Sequence, residues 1–175
     1  MGYETAKYDV MYKENNFEIR HYHKHIIALS KEQTLSGSYG FNEIFNYISK
    51  NNDRREKIAM TTPVLNDIVD EKAVTTAFVM PSQYSLDSLP KPNSTNTKLV
   101  EVDQQYVAVI KFSNNVNVKR IRHQQQLLLT WLKKHKIMAI GQFKLARYNP
   151  PFVPGFLKRN EIMIEVDCLS IEGVQ

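Results

Sequence analysis

The sequence predicts an α+β fold, two successive β-α-β-β units making one antiparallel sheet with two helices on one face. Three observations predict it. Short apolar runs bounded by Asn, Gly and Pro recur along the chain, as strands do. Two longer stretches carry apolar residues at helical spacing. The order of segments then repeats: strands, helix, two strands, and the same again.

Tyr8–Tyr12 and Phe17–Tyr22 read as strands around the turn-forming Glu14-Asn15-Asn16. His25–Ser30 continues as a buried strand. Ser36-Gly37-Ser38 opens a helix to about Lys50, with Phe41, Ile44, Phe45 and Ile48 on one stripe, and Asn51-Asn52-Asp53 ends it. Lys57–Leu65 and Val74–Met80 are strands that Pro63 and Pro81 confine to edges or ends. Ser82–Thr97 is a polar loop. Leu99–Asp103 and Tyr106–Phe112 resume the sheet. Helix 2 runs from about Val116 to His135, with Val118, Ile121, Leu128, Leu129 and Leu132 as its main stripe and Leu127 with Trp131 as a second patch. Gln142–Tyr148 and Glu161–Asp167 close the chain as strands. Between them, Pro150, Pro151, Pro154 and Gly155 cannot sit in a ladder, so a rigid connection at a strand end is expected to build one wall of a pocket.

At 175 residues and 42% hydrophobic, residues 1–175 suffice for a single domain with a real core. No apolar run approaches the ~18–20 residues of a membrane span. Met1–Val10 lacks the basic-then-apolar layout of a secretory signal, and Cys168 is the only cysteine, so a reduced, cytoplasmic setting is expected. Between Gln104 and Asn160 stand 11 Lys or Arg and no Asp or Glu, whereas the remainder holds 12 basic and 18 acidic residues. That division gives either a basic side that attracts an anion or a solvated face. The basic runs of helix 2, KRIRH and KKHK, have no aromatic platforms interleaved, and no separate reading module accompanies them, so nucleic acid is not an expected partner. Oligomeric state leaves no mark in the sequence.

Four segments carry a resemblance: FEIRHY (Phe17–Tyr22), KIAMTTPV (Lys57–Val64), FVMPSQY (Phe78–Tyr84) and ARYNPPFVPGFLKRNEIMIEV (Ala146–Val166). In that order and spacing the chain resembles the SOUL haem-binding protein family from about Tyr8 to Val166. The resemblance implies a distorted sheet or half-open barrel of about eight strands with two helices, similar to effector-binding domains of multidrug-responsive regulators. It also implies non-catalytic binding of haem, or another tetrapyrrole or flat apolar anion, with haem as the cofactor. His21 matches a family His proposed as an axial iron ligand. The pocket it implies lies against helix 1, where Phe41, Phe45 and Ile48 stand, with Met60, Met80, Tyr148 and Phe152 as further wall residues. The family's basic positions for the haem propionates fall on Asn46 and Val153 here, leaving Lys158 and Arg159 as the nearest cations.

The residues themselves keep other readings open. Alternation puts Phe17, Ile19 and His21 on one strand face, so His21 is either a ligand beside an apolar surface or an ordinary solvated histidine. His21, His23 and His25 at period two also match a zinc face, although no fourth ligand is near in sequence. A drug-sensing or enzymatic module would instead place an acidic residue in the pocket, and Glu161 or Glu165 would supply it. No Ser-His-Asp, Cys-His or phosphate-loop pattern occurs, so catalysis is not expected.

Overall fold

The computed structural model describes residues 2–36 and 38–174; Met1, Gly37 and Gln175, and with Gly37 the expected helix opening there, lie outside the described residues. The elements in chain order are β1 (Glu4–Thr5), β2 (Tyr8–Glu14), β3 (Phe17–Tyr22), β4 (His25–Lys31), α1 (Ser38–Ile48), β5 (Thr61–Thr62), β6 (Val64–Val69), β7 (Lys72–Val79), β8 (Thr97–Val102), β9 (Gln105–Phe112), α2 (Val118–Lys134), β10 (Phe143–Arg147) and β11 (Asn160–Glu165). Nine strands form one sheet in the order β2-β3-β9-β11-β10-β6-β7-β4-β8, antiparallel throughout and not closed into a barrel. β1 and β5 pair separately, in parallel.

The two expected units are visible as β4-α1-β6-β7 and β9-α2-β10-β11. They meet at the β6–β10 pair and continue outward in matching order. Each is preceded by a strand, β3 or β8, that pairs with the other unit: β3 on β9 and β8 on β4. Two-residue corners, His23-Lys24 and Asp103-Gln104, make this exchange.

Both helices pack on one face. Under α2, Ile121, Leu128, Trp131 and Leu132 meet Ile19, Ala108, Ile110, Leu145 and Ile162. Under α1, Ile44, Tyr47 and Ile48 meet Ile26, Ala28, Phe78 and Met80. The α2 stripe differs from expectation, because Leu129 and Val118 are exposed while Trp131 is buried. Trp131 stacks on Phe17 at 5.0 Å and donates to Glu14 across the sheet edge, so the aromatic ring rather than Leu129 sets the buried side. Asn117 caps the start of α2 by accepting from the Arg120 N–H at 2.8 Å. Lys133 and Lys134 complement the dipole at its end. α1 ends where Lys50 takes a left-handed φ of 100°. Beyond it, buried Asn52 gathers the chain by donating to the Tyr47 and Glu56 carbonyls and accepting from the Glu56 N–H.

Of the expected strand Lys57–Leu65, residues 58–60 are not strand and Lys57 makes only an isolated bridge to Ser49; strand is found at Thr61–Thr62 and again from Val64, on either side of Pro63, which offers no N–H to a ladder. After it β6 runs on to Val69 and turns into β7 through Asp70 and Glu71, both with positive φ (47° and 65°). Two left-handed residues match the twist of a tight hairpin, a role more often given to Asn-Gly.

Candidate functional site

The helix-free face of the sheet carries Tyr22, Val107, Val109, Ala146 and Met163, with Tyr8, Leu65 and Tyr148 against them. Among these apolar residues lies an ion cluster whose centre, Arg20 with Glu18 and Glu161, is buried, while Arg159 and Lys111 reach it from the surface. Arg20 of β3 donates to Glu161 of β11 at 2.8 and 2.7 Å, and to Glu18 at 2.7 Å. Arg159 donates to Glu161 at 3.1 and 2.8 Å, and the Tyr148 hydroxyl adds a bond at 2.9 Å. Lys111 reaches the other oxygen of Glu18. Glu161 thus receives five hydrogen bonds, which use the roughly four lone-pair sites of a carboxylate. Burial pushes its pKa up, but the hydrogen bonds and charges of Arg20 and Arg159 outweigh burial and hold it below the usual carboxylate range. Burial, against the pull of Arg20, lifts the Tyr22 hydroxyl to about 12. A carboxylate so engaged neither takes a proton from a substrate nor receives a cation.

Beside this cluster the same face holds a cavity of about 330 Å³. Ile27, Leu29, Leu65, Ala77, Val107 and Met163 give it apolar walls, and Asp67, Lys144 and Glu165 line it as well. Lys144 and Asp67 pair with each other, whereas Glu165 makes no ion pair among the described residues. A second cavity of about 370 Å³ runs along the N-terminal strand, past Lys7, His23 and His25 to Met80 and Tyr84.

Exposed apolar side chains also stand on α1 and in the proline connection. Phe41 stacks on Phe45 at 5.7 Å and 11° and tilts against Phe78 at 5.2 Å. Phe45 is 44% exposed, and in the connection Phe152, Phe156 and Leu157 are exposed by 85%, 71% and 62%. Such large apolar side chains in water mark a binding surface when they gather. The connection is anchored by Asn114, whose N–H donates to the Gly155 carbonyl at 2.8 Å, and by Asn160, which donates to the Asn114 carbonyl at 2.7 Å.

At its root, Arg147 of β10 joins it to the start of α1. One Nη donates to the Ser36 carbonyl at 3.1 Å and the other to Asn66 Oδ1 at 2.6 Å. Asn66 bonds Thr76, Thr76 bonds Glu32, and Glu32 accepts the Gly40 N–H at 2.8 Å, so a polar chain runs under the first turn of α1. Arg147 makes no ion pair among the described residues. Burial lowers its pKa and the Glu32 charge opposes that shift. Its charge stands beside a helix N-terminus, itself positive.

The family model described as SOUL heme-binding protein matches residues 3–165. The chain belongs to the SOUL family. Comparison with curated proteins finds no match. Among solved structures, the fold of this SOUL protein is similar to the EcmrR C-terminal domain (TM-score 0.66, 10% identity, covering 86% of this chain and 96% of that one). It is also similar to a hydrolase from Listeria innocua (TM-score 0.63, 9% identity, 90% and 94% covered). EcmrR in its DNA complex matches with a TM-score of 0.65 and 10% identity, over 86% of this chain and 57% of that chain. At such identities the likeness is one of fold. No described helix is long and apolar enough to cross a membrane.

The residues that sequence singled out for a SOUL pocket fall in several places. Phe41, Ile48, Met60 and Met80 share the core under α1, and Phe45 extends that cluster to the surface beside exposed Asn46. Phe152 points outward and Val153 is half-buried. Lys158 donates to Asn115 Oδ1 at 3.0 Å, while Arg159 and Tyr148 are tied into the ion cluster, with the Arg159 guanidinium 4.0 Å over the Tyr148 ring. His21 lies on the helix side of β3, its ring tilted against Tyr106 at 4.8 Å and beside Asp9 and His23. No described hydrogen bond or ring contact joins it to α1 or the proline connection. Sequence reading passed over Arg20, Glu18 and Arg147; the one signal was charge inside otherwise apolar strands.

Proposed function

We propose that this SOUL protein binds a flat, apolar, carboxylate-bearing ligand of the tetrapyrrole class, haem included, without catalysing a reaction. The ligand lies over the aromatic surface of Phe45 and the proline connection, with Arg147 as the partner of its carboxylate. The observation that carries this reading is Arg147: a half-buried guanidinium that makes no ion pair among the described residues, at the root of the proline connection and bonded to Ser36 ahead of α1. Arg159 is already paired with Glu161, which leaves Arg147 and, within the connection, Lys158 as cations that make hydrogen bonds but no ion pair among the described residues. The residues suit the macrocycle and its acid groups. When bound, haem would bring an iron centre. His21, the family's expected iron ligand, stands on a different surface, so the apolar contact supplies most of the affinity. Covering a few hundred Å² yields on the order of 5–10 kcal/mol at ~25 cal/mol/Å². Association costs of roughly 4–15 kcal/mol oppose it, giving modest affinity and weak selection among porphyrins.

Titrating haemin and metal-free protoporphyrin into wild type, His21→Ala and Arg147→Gln tests this. Similar affinities for the two porphyrins, weakened in Arg147→Gln and retained in His21→Ala, are expected. A Soret shift that vanishes in His21→Ala would return the iron to His21. No saturable binding of either porphyrin would overturn the proposal.

A second reading has one observation in its favour, Glu165 on the wall of the apolar cavity with no ion pair among the described residues. An effector site for an apolar cation, as in drug-sensing domains, would use that carboxylate as counter-ion. Binding of a lipophilic cation lost in Glu165→Gln and kept in Arg147→Gln would favour it.

A further inference from the structure

His21, His23 and Asp9 bring their ligand atoms within 4.8 Å of one another at the corner where β3 turns toward β4. Asp9 Oδ2 lies 2.6 Å from His23 Nε2 and 4.0 Å from His21 Nδ1. The sheet places them. Asp9 sits directly opposite His21 in the β2–β3 register, so the two side chains share a face. A bulge between Val10 and Tyr12 follows, and His23 is held by its own N–H donating to the Lys7 carbonyl at 3.1 Å. The His21 ring packs against Tyr106 at 4.8 Å and 32°, and lies 5.7 Å from that of His23. No Lys or Arg pairs with Asp9 among the described residues; only the two imidazoles face it.

We propose that Asp9, His21 and His23 form a binding site for a divalent transition metal of the zinc, nickel or copper class. Two imidazoles and a carboxylate are the donor set these ions take, with water completing the coordination. Bonds of ~2.0–2.2 Å put ligand atoms ~3.3 Å apart in a tetrahedron, and the observed separations bracket that value. Small side-chain rotations about a fixed backbone close the site. All three side chains reach solvent, His23 and Asp9 the more so, which leaves an entry path. The third ligand is Asp9, not the His25 that the alternating histidines suggested. His25 Nδ1 is engaged with the His23 carbonyl at 2.7 Å, and its ring lines the cavity on the other face of the sheet. The site is independent of tetrapyrrole binding.

The test uses tag-free protein and the metal alone. Zinc titration by calorimetry is expected to give one ion per chain. The copper(II) form should show nitrogen hyperfine coupling from two imidazoles. His21→Gln, His23→Gln and Asp9→Asn should each weaken zinc binding by at least about tenfold, with unchanged circular dichroism. His25→Gln should bind as wild type does. Absence of saturable zinc uptake, or equal losses in His23→Gln and His25→Gln, would overturn the proposal.

Discussion

Arg20 and Glu161 meet end to end across strand β9, Nη1 to Oε2 at 2.8 Å and Nη2 to Oε1 at 2.7 Å, and neither side chain has any exposed surface. Two parallel bonds between planar groups fix the angle of β3 against β11 as well as their distance. Because water is excluded, removing one partner strands the other. Arg20→Met should therefore destabilise the protein by about 3–5 kcal/mol, measured by denaturant unfolding. Arg20→Met with Glu161→Leu should recover much of that loss, although Glu18 and Arg159 keep a residual penalty. A single variant as stable as wild type would show that the pair is dispensable.

Acid should weaken this fold early. Glu161, Glu18 and Glu32 are all held below their ordinary pKa: burial raises each, and guanidinium, ammonium or N–H and hydroxyl donors outweigh it. A carboxylate whose folded value lies below its unfolded value of about 4.3 contributes fully above that pH and loses its contribution as the pH falls through the folded value. Stability should thus be flat down to about pH 5 and drop steeply below about pH 4. Urea midpoints from pH 7 to pH 3 check this, and the double Arg20/Glu161 variant should show a shallower decline.

Why Arg20 escaped a reading of the sequence is instructive. Alternation in FEIRHY correctly separates Phe17, Ile19 and His21 from Glu18, Arg20 and Tyr22. Charge on the second face then argues for solvent. The face is dry because β11, 141 residues further on, lies one strand beyond β9 and brings an opposite charge. Pairing between distant strands has no local signature. The helices, the repeated order and most strand positions were legible, since periodicity is local; residues 57–60, expected as strand, and the short β1 were the exceptions. The β6–β7 hairpin was not, because Asp70 and Glu71 take a turn usually marked by Gly. The apolar stripe of α1 was legible as packing, whereas the distinction between Arg159, bonded to Glu161, and Arg147, without an ion pair among the described residues, depends on three-dimensional neighbours.

Gly40 is a position where size alone decides. A Cβ added there would stand 2.8 Å from Thr76 Cβ and 2.9 Å from Glu32 Oε2, in the polar chain under α1. Gly40→Ala gains roughly 1 kcal/mol of helix propensity. Crowding of this kind costs typically ~1–3 kcal/mol and here also disturbs buried hydrogen bonds. A net loss is expected, read as a lower denaturant midpoint at unchanged slope. A gain in stability would show that α1 can lift off the sheet.

Phe45→Ala separates binding from folding. Its ring is 44% exposed, so stability should change by less than about 1 kcal/mol. Porphyrin affinity should fall by about tenfold, the order expected from the loss of a partly covered aromatic contact. Unchanged affinity in a porphyrin titration would move the ligand away from α1.

The crossing of β3 and β8 into each other's half also governs how the chain can be divided. Neither half carries a complete set of neighbours for its own strands: β3 has its inner partner only in β9, and β8 has its only partner in β4. Cleavage in the polar loop between Pro81 and Thr97 would give two fragments that are each short of one strand and each hold the strand the other lacks. Mixed together, they should reassemble as a complementing pair. Alone, the first half should seek a second copy of itself, with one copy's β3 lying where β8 belongs on the other. Each half is thus completed by a strand of the other.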